Sequence, residues 1–300
     1  MVKQTIKSLA KKLPFVKKID GRRRSSGIYP PGHYYSPIPS REDVVSYLES
    51  RTEFTRPLLG VNLNESVQRE LLDDYINFYP DLTFPEKKTT GHRYYYENRW
   101  FSYSDAIFLY SFLRKNMPKR IVEVGSGFSS AVMLDTVDDH FAVKPDITFI
   151  EPYPDRLNSV LTDVDREHVR LISKKIQDVS TEIILSLKSG DLLFIDSSHV
   201  VKCGSDLQFL MFEILPRLQP GVFVHFHDVF YPFDYPSEWL MQGRYWNENY
   251  FLRAFLSYNS EWSIQFFNTY VNAMFSDLIK EKMPLCANNA GGSLYLRRDE

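Results

Sequence analysis

Cysteine is nearly missing from this chain: Cys203 and Cys286 are its only two in 300 residues. Two cysteines cannot build a disulfide framework. They show no metal-ligand spacing and no nucleophile setting, so a reducing, cytoplasmic compartment is the simple reading. Long apolar runs are also lacking. No stretch approaches the roughly 18 to 20 residues that cross a bilayer, and the first residues hold no apolar signal-peptide core. Repeats, low-complexity tracts and nucleic-acid recognition modules are likewise absent. Apolar and aromatic residues are plentiful, at 43% and 15%. That composition supports a full core in one large domain with a smaller appendage.

The formal net charge of −2 hides an uneven distribution. Residues 1–24 carry nine basic side chains against Asp20 alone, which leaves −10 on the other 276 residues. In that arm Val2, Ile6, Leu9, Leu13 and Val16 follow helical spacing, and Pro14 interrupts it. Two readings stand open: a segment that lies on an anionic membrane surface, and a solvated, frayed terminus. Nucleic acid is not an expected partner, because the acidic body opposes it.

The densest signal is Ile121-Val122-Glu123-Val124-Gly125-Ser126-Gly127-Phe128-Ser129-Ser130. It reads as a buried strand, a glycine turn and a helix start, the layout of a nucleotide-type cofactor site. A lone G-x-G is weak, since glycines also mark ordinary turns. Glu123 refines it. A carboxylate two residues before the turn would repel a dinucleotide pyrophosphate, and Ser130 stands where the dinucleotide fingerprint wants a third small residue. S-adenosylmethionine, with a sulfonium and an ammonium and no phosphate, suits an acid there. On Glu123, Gly125 and Gly127, which match an E-x-G-x-G motif, the chain resembles the class I S-adenosylmethionine-dependent methyltransferases. Glu123, Gly125, Ser126 and Gly127 are the first cofactor-binding candidates.

Later segments fall in the order that the resemblance implies. A second apolar strand, Asp146 to Ile150, ends in Glu151. An acid at that place can accept both ribose hydroxyl hydrogens, and it can equally be a solvated loop acid. A third short strand, 168–172, precedes Gln177-Asp178. The family places an acid or amide there against the adenine amino group, so Asp178 is a candidate, although a helix N-cap would look the same. A fourth strand carries Asp196 to its C-terminal end, with His199 three residues on. A fifth delivers His225, His227 and Asp228 to the same rim, where ligands of open parallel sheets bind.

Three readings of that cluster compete. Asp196 and Asp228 could hold Mg2+ or another divalent cation that orients and acidifies an acceptor hydroxyl, as in the sugar and catechol O-methyltransferases the chain looks like. Here His227-Asp228 stands where some of those have two acids. Alternatively a histidine is the general base with an aspartate orienting it, His227 placed ahead of His199. His225 reads instead as a satisfied core histidine.

Outside these motifs the text is plainer. Prolines through residues 29–39 exclude a regular helix, a helix is expected near 67–78, and another near 103–115 with Ala106, Leu109, Tyr110 and Leu113 on one stripe. The run Arg93 to Trp100 could present aromatic faces to a sugar or pack as a cluster against the sheet. The loop 231–236 is placed to cover an acceptor, a helix follows near 246–252, and two strands, 262–267 and 293–297, end the chain. The predicted fold class is α/β: a Rossmann-like doubly wound sheet of about seven strands with the last antiparallel, plus an N-terminal helical or irregular cap. The expected organisation is a basic arm (1–27), a cap region (28–102) and a methyltransferase domain (103–300). The resemblance is nearest to the bacterial small-molecule, methyltransferase-24-like branch, and implies methyl transfer to a hydroxyl of a sugar or other small metabolite. An NAD(P)-dependent oxidoreductase and a non-catalytic scaffold are the alternatives.

Overall fold

A computed structural model describes residues 27–51 and 58–299. The basic arm, and with it the membrane-surface reading, lies outside the described residues. By compactness the chain divides into two units, residues 1–55 with 236–245 and residues 56–235 with 246–300. The stretch read as a cap, 28–102, is thus shared between them.

In the smaller unit helix α1 (Arg41–Ser50) was not foreseen. Ser40 and Asp43 form a capping box that starts it: the Ser40 hydroxyl accepts the Asp43 N–H and the Asp43 carboxylate accepts the Ser40 N–H. The short helix Ser237–Met241 packs against it. Before α1 the rings of Tyr29, His33, Tyr34 and Tyr35 gather on one another without regular structure.

The larger unit is built on a seven-stranded sheet in the order β3-β2-β1-β4-β5-β7-β6. Its strands are β1 (Arg120–Val124), β2 (Asp146–Ile150), β3 (Val169–Ile172), β4 (Leu192–Ile195), β5 (Phe223–His227), β6 (Trp262–Phe267) and β7 (Ser293–Arg298). The first five run parallel; β7 lies antiparallel between β5 and β6. Parallel strands covered on both faces need apolar residues on both, and β4 is accordingly Leu-Leu-Phe-Ile, buried throughout. Because strand order reverses between β1 and β4, their C-terminal ends part and leave a crevice.

Helices α2 (Glu65–Phe78), α3 (Ser104–Asn116) and α4 (Phe128–His140) stack beside one another in that order. Flanked by α2 and α4, α3 is buried on every side from Ser104 to Leu113, wider than the stripe its spacing indicates. Gln68 of α2 ties this layer to the far edge of the sheet, its side chain accepting the Phe267 N–H at 2.9 Å. Helix α5 (Glu248–Leu256) follows β5, and α6 (Asn268–Met274) and α7 (Ser276–Lys282) fill the insert between the last two strands. No helix among the described residues is long and apolar enough to cross a membrane.

Candidate active site

The crevice begins at the glycine turn. Gly125 holds φ at +83°, a left-handed value that favours glycine, and a Cβ there would sit 1.7 Å from the Asp196 carbonyl oxygen. Its N–H donates to the Ile150 carbonyl at 3.0 Å while the Asp196 N–H donates to Val124 at 2.8 Å. The ends of β1, β2 and β4 are thereby locked side by side. Glu151 leaves β2 into this corner, one carboxylate oxygen accepting the Ser126 N–H (3.2 Å) and the other the Tyr153 N–H (2.7 Å). A cavity of about 380 Å³ opens there, its walls including Gly125, Glu151, Ile176, Gln177, Asp196 and Ser197.

Glu123 is placed differently from the expectation that it meets a cationic donor. It does not line the cavity; its side chain is fully buried behind the turn, where it accepts the hydroxyls of Ser129 (2.5 Å) and Ser130. Ser130 also accepts the Gly127 N–H at 3.0 Å. The residue in the third small position is therefore a brace, joining strand, turn and helix. Burial outweighs these hydroxyl bonds and pushes the Glu123 carboxyl up to about 8. A carboxyl largely protonated near neutral pH and walled off by its own helix does not select a donor by charge, contrary to the expectation from its place before the turn.

Beyond β3 the cavity meets Gln177 rather than Asp178. Asp178 is exposed at the end of the 3-10 turn Ile176–Asp178, whereas Gln177 is half-buried in the wall with its Nε2 donating to the Gly204 carbonyl at 2.9 Å. The buried Gln177 Oε1 and Ser197 Oγ have no partner among the described residues. Unpaired buried polar atoms call for a ligand or solvent that completes them. With a carboxylate poised at the end of β2 and a tight backbone turn beside it, this donor set fits a polar nucleoside.

Across the crevice the ends of β4 and β5 bring the expected cluster together. His199 and Asp228 both hold left-handed backbones (φ 59° and 58°), a conformation that non-glycine residues retain only when their surroundings impose it. The His199 Nε2 stands 3.4 Å from Asp196 and 3.6 Å from Asp228, and its Nδ1 lies 2.8 Å from the Glu248 carboxylate. Asp196 also faces the cavity. His227 is less engaged: its Nε2 meets only the neighbouring Asp228, at 3.6 Å, its Nδ1 meets nothing among the described residues, and its ring packs on Phe101. His225 stacks on Phe194 at 3.8 Å in the core as expected, yet neither ring nitrogen finds a partner there.

Charges in the cluster are mutually set. Burial opposes charge on His199, but the Asp196 and Glu248 carboxylates bonded to its ring hold its pKa well above 6.5. For Asp196 burial acts upward, and His227 and His199 outweigh it and bring the pKa below the ordinary 3.8. Burial raises Asp228 against the pull of the same two histidines. His225, desolvated and close to His227, is driven well below 6.5 and stays neutral. The metal expectation fits this arrangement poorly. Among the described residues no three His, Cys, Asp or Glu side chains form a group that could hold an ion. The space between Asp196 and Asp228 is addressed by the Nε2 edge of the His199 ring.

Sheet order, glycine turn, terminal acid on β2 and the cavity beside them together define a Rossmann-like fold with a pocket at its strand ends. Residues 122–229 match the family described as "Methyltransferase domain". An uncharacterized protein of Archaeoglobus fulgidus is 35% identical over 175 residues, 56% of this chain and 77% of that protein. Through residues 122–229 the chain carries a methyltransferase domain of that family. Among solved structures it is similar to the S-adenosylhomocysteine-bound methyltransferase PaMTH1 of Podospora anserina (14% identity, TM-score 0.41, 88% of this chain and 98% of that one). It is also similar to the O-methyltransferase TomG of Streptomyces achromogenes (13%, 0.41, 77% and 90%).

Proposed function

We propose that this methyltransferase acts on the oxygen of a hydroxyl group in a small polar metabolite, with His199 as general base and without a metal ion. One observation carries the reading. His199 is suspended between a buried carboxylate behind it, Glu248, and the two rim acids in front, which is the geometry of a base held by an orienting group. His227, put first on sequence grounds, lacks such a partner.

When bound, S-adenosylmethionine supplies an electrophilic methyl group on a sulfonium. Glu151 would hold the ribose hydroxyls, Gln177 the adenine edge, and the turn from Gly125 to Gly127 the methionine end, with Glu123 bracing that turn from behind. Asp196 faces the cavity as a carboxylate beside the His199 ring, and the acceptor hydroxyl, donating its one hydrogen to His199 Nε2, is held with an oxygen lone pair in line with the methyl group. His199 takes the hydroxyl proton at Nε2 as the oxygen gains its methyl. Asp228 helps hold the ring charge that results.

A sugar is the acceptor favoured by the sequence. Tyr94 and Tyr96 are packed into the core and Tyr95 is half-buried against Phe128, so within the aromatic run the exposed indole of Trp100, with Arg156 stacked 3.8 Å above it, is the most open ring to meet one. The basic arm supports contact with an anionic membrane surface by its charge alone. The function is tested by supplying donor labelled in its methyl group with a panel of free sugars, sugar nucleotides and catechols. Label recovered in an O–CH3 group, undiminished by a chelator, is the expected result; label on nitrogen or carbon, or turnover that needs added Mg2+, contradicts it.

A further inference from the structure

Beyond residue 229, where the family match ends, the three consecutive residues Trp246, Asn247 and Glu248 all close on the His199 loop. The Asn247 and Glu248 N–H groups point at the His199 carbonyl, at 3.2 and 3.3 Å. Asn247 pairs with the Val201 backbone through both ends of its amide, its Oδ1 accepting the Val201 N–H at 2.7 Å and its Nδ2 donating to the Val201 carbonyl at 3.1 Å. Trp246 lies over the imidazole with ring centres 4.4 Å apart, and the Glu248 carboxylate, only 1% exposed, reaches Nδ1 at 2.8 Å.

Each contact fixes a different freedom of one residue. The two N–H groups and the Asn247 amide hold the loop, including the left-handed backbone that His199 would otherwise abandon. Trp246 limits rotation of the ring about χ2. Burial raises the Glu248 carboxyl against the pull of His199, and wherever it is ionised it can only accept, so that Nδ1 must carry the hydrogen and Glu248 decides the tautomer. Nε2 is left facing Asp196 and Asp228.

We infer that Trp246-Asn247-Glu248 is a positioning clamp for His199, with Glu248 fixing the Nδ1–H tautomer so that the Nε2 lone pair is presented to the rim of the sheet. The inference rests on His199 as the proton acceptor proposed above, and it reaches residues outside the segment that carries the family motifs. Glu248 touches neither donor nor acceptor in this scheme. It acts through the ring.

The test is nitrogen-15 NMR of histidine-labelled full-length protein, with the His199 signals assigned by their loss in His199→Asn. At a pH where the ring is neutral, the wild type should show the Nδ1–H tautomer with a slowly exchanging Nδ1 proton. In Glu248→Ala that proton should exchange at least about tenfold faster, and the neutral ring should move toward the Nε2–H form usual in water. Glu248→Gln, whose amide oxygen still accepts, should keep much of the wild-type pattern. A wild-type ring in the Nε2–H form overturns the clamp without recourse to any variant, as does a His199 spectrum indifferent to Glu248→Ala. Calorimetry with S-adenosylmethionine on the same samples separates the two claims: a wild type that does not bind donor defeats the methyl-transfer reading, while the tautomer result judges the clamp by itself.

Discussion

The two halves of the crevice are assembled in opposite ways. The donor half, at the ends of β1, β2 and β3, is braced by side-chain contacts of shorter span, Glu123 to Ser129 over six residues and Ser126 to Glu151 over 25, with one long-range backbone lock to β4 at Asp196. The half at the ends of β4 and β5 depends on reach, with His199 meeting Glu248 across 49 residues and two of its rim residues held in left-handed backbones. Short-range closure yields a rigid seat that recurs with a recognisable motif. Long-range closure lets a chain keep the seat and alter what stands opposite, which is where an acceptor is chosen.

That contrast can be broken in a graded way. The largest effect is expected at the rim: Asp196→Asn, which takes a negative charge from beside the general base, should lower kcat about 100-fold, within the range for impaired proton transfer, while calorimetry finds the folded variant still binding donor. Equal loss of kcat and donor affinity would assign Asp196 to the donor half instead. Next comes Gly125→Ala. A left-handed backbone and a Cβ driven against the Asp196 carbonyl should cost on the order of 3 kcal/mol in urea unfolding, because strands β1 and β4 must separate. An unchanged midpoint would mean that the strand ends are not locked.

The pH dependence is a third, smaller lever. The pKa of His199 is raised, so the base is protonated and idle at low pH and becomes competent as pH climbs through that value. The rising limb of kcat should therefore lie on the alkaline side of 6.5, and a limb below it would exclude His199 in its present setting. The smallest effect belongs to Glu123→Gln. Since the Glu123 carboxyl titrates near 8 in the fold against an ordinary 4.5, the folded state holds its proton more tightly, and stability falls as pH rises between those values. The glutamine variant should flatten that slope in denaturant titrations and change donor affinity by no more than a few-fold. A large loss of donor affinity would restore Glu123 to direct contact.

How much could be read in the sequence follows from the same contrast. Strand period, glycine turn and the terminal acid of β2 are local signals, so the seven strands, their antiparallel end and the placing of Glu151 and Asp196 were legible. Glu123 was recognised and its task was not, because nothing in the order of residues says that the hydroxyls of Ser129 and Ser130 turn back onto it. Gln177 was passed over for Asp178: neighbours on a 3-10 turn point different ways, and nothing in the order of two residues says which faces inward. Glu248 gave no signal at all. One acid at the start of an amphipathic helix ordinarily faces water, and only the fold carries it to His199. Helix α1 was missed even though Ser40 and Asp43 spell a capping box, since the prolines before it dominated that stretch.

The measurement that bears most directly on the account is calorimetry of S-adenosylmethionine and of NAD on the wild type and on Glu151→Ala. The account predicts that the wild type binds the methyl donor and not NAD, and that removing the carboxylate from the end of β2 weakens the donor by roughly one to two orders of magnitude through loss of its paired hydrogen bonds to the ribose. Binding of NAD in preference to the methyl donor, or donor affinity indifferent to Glu151, would contradict it.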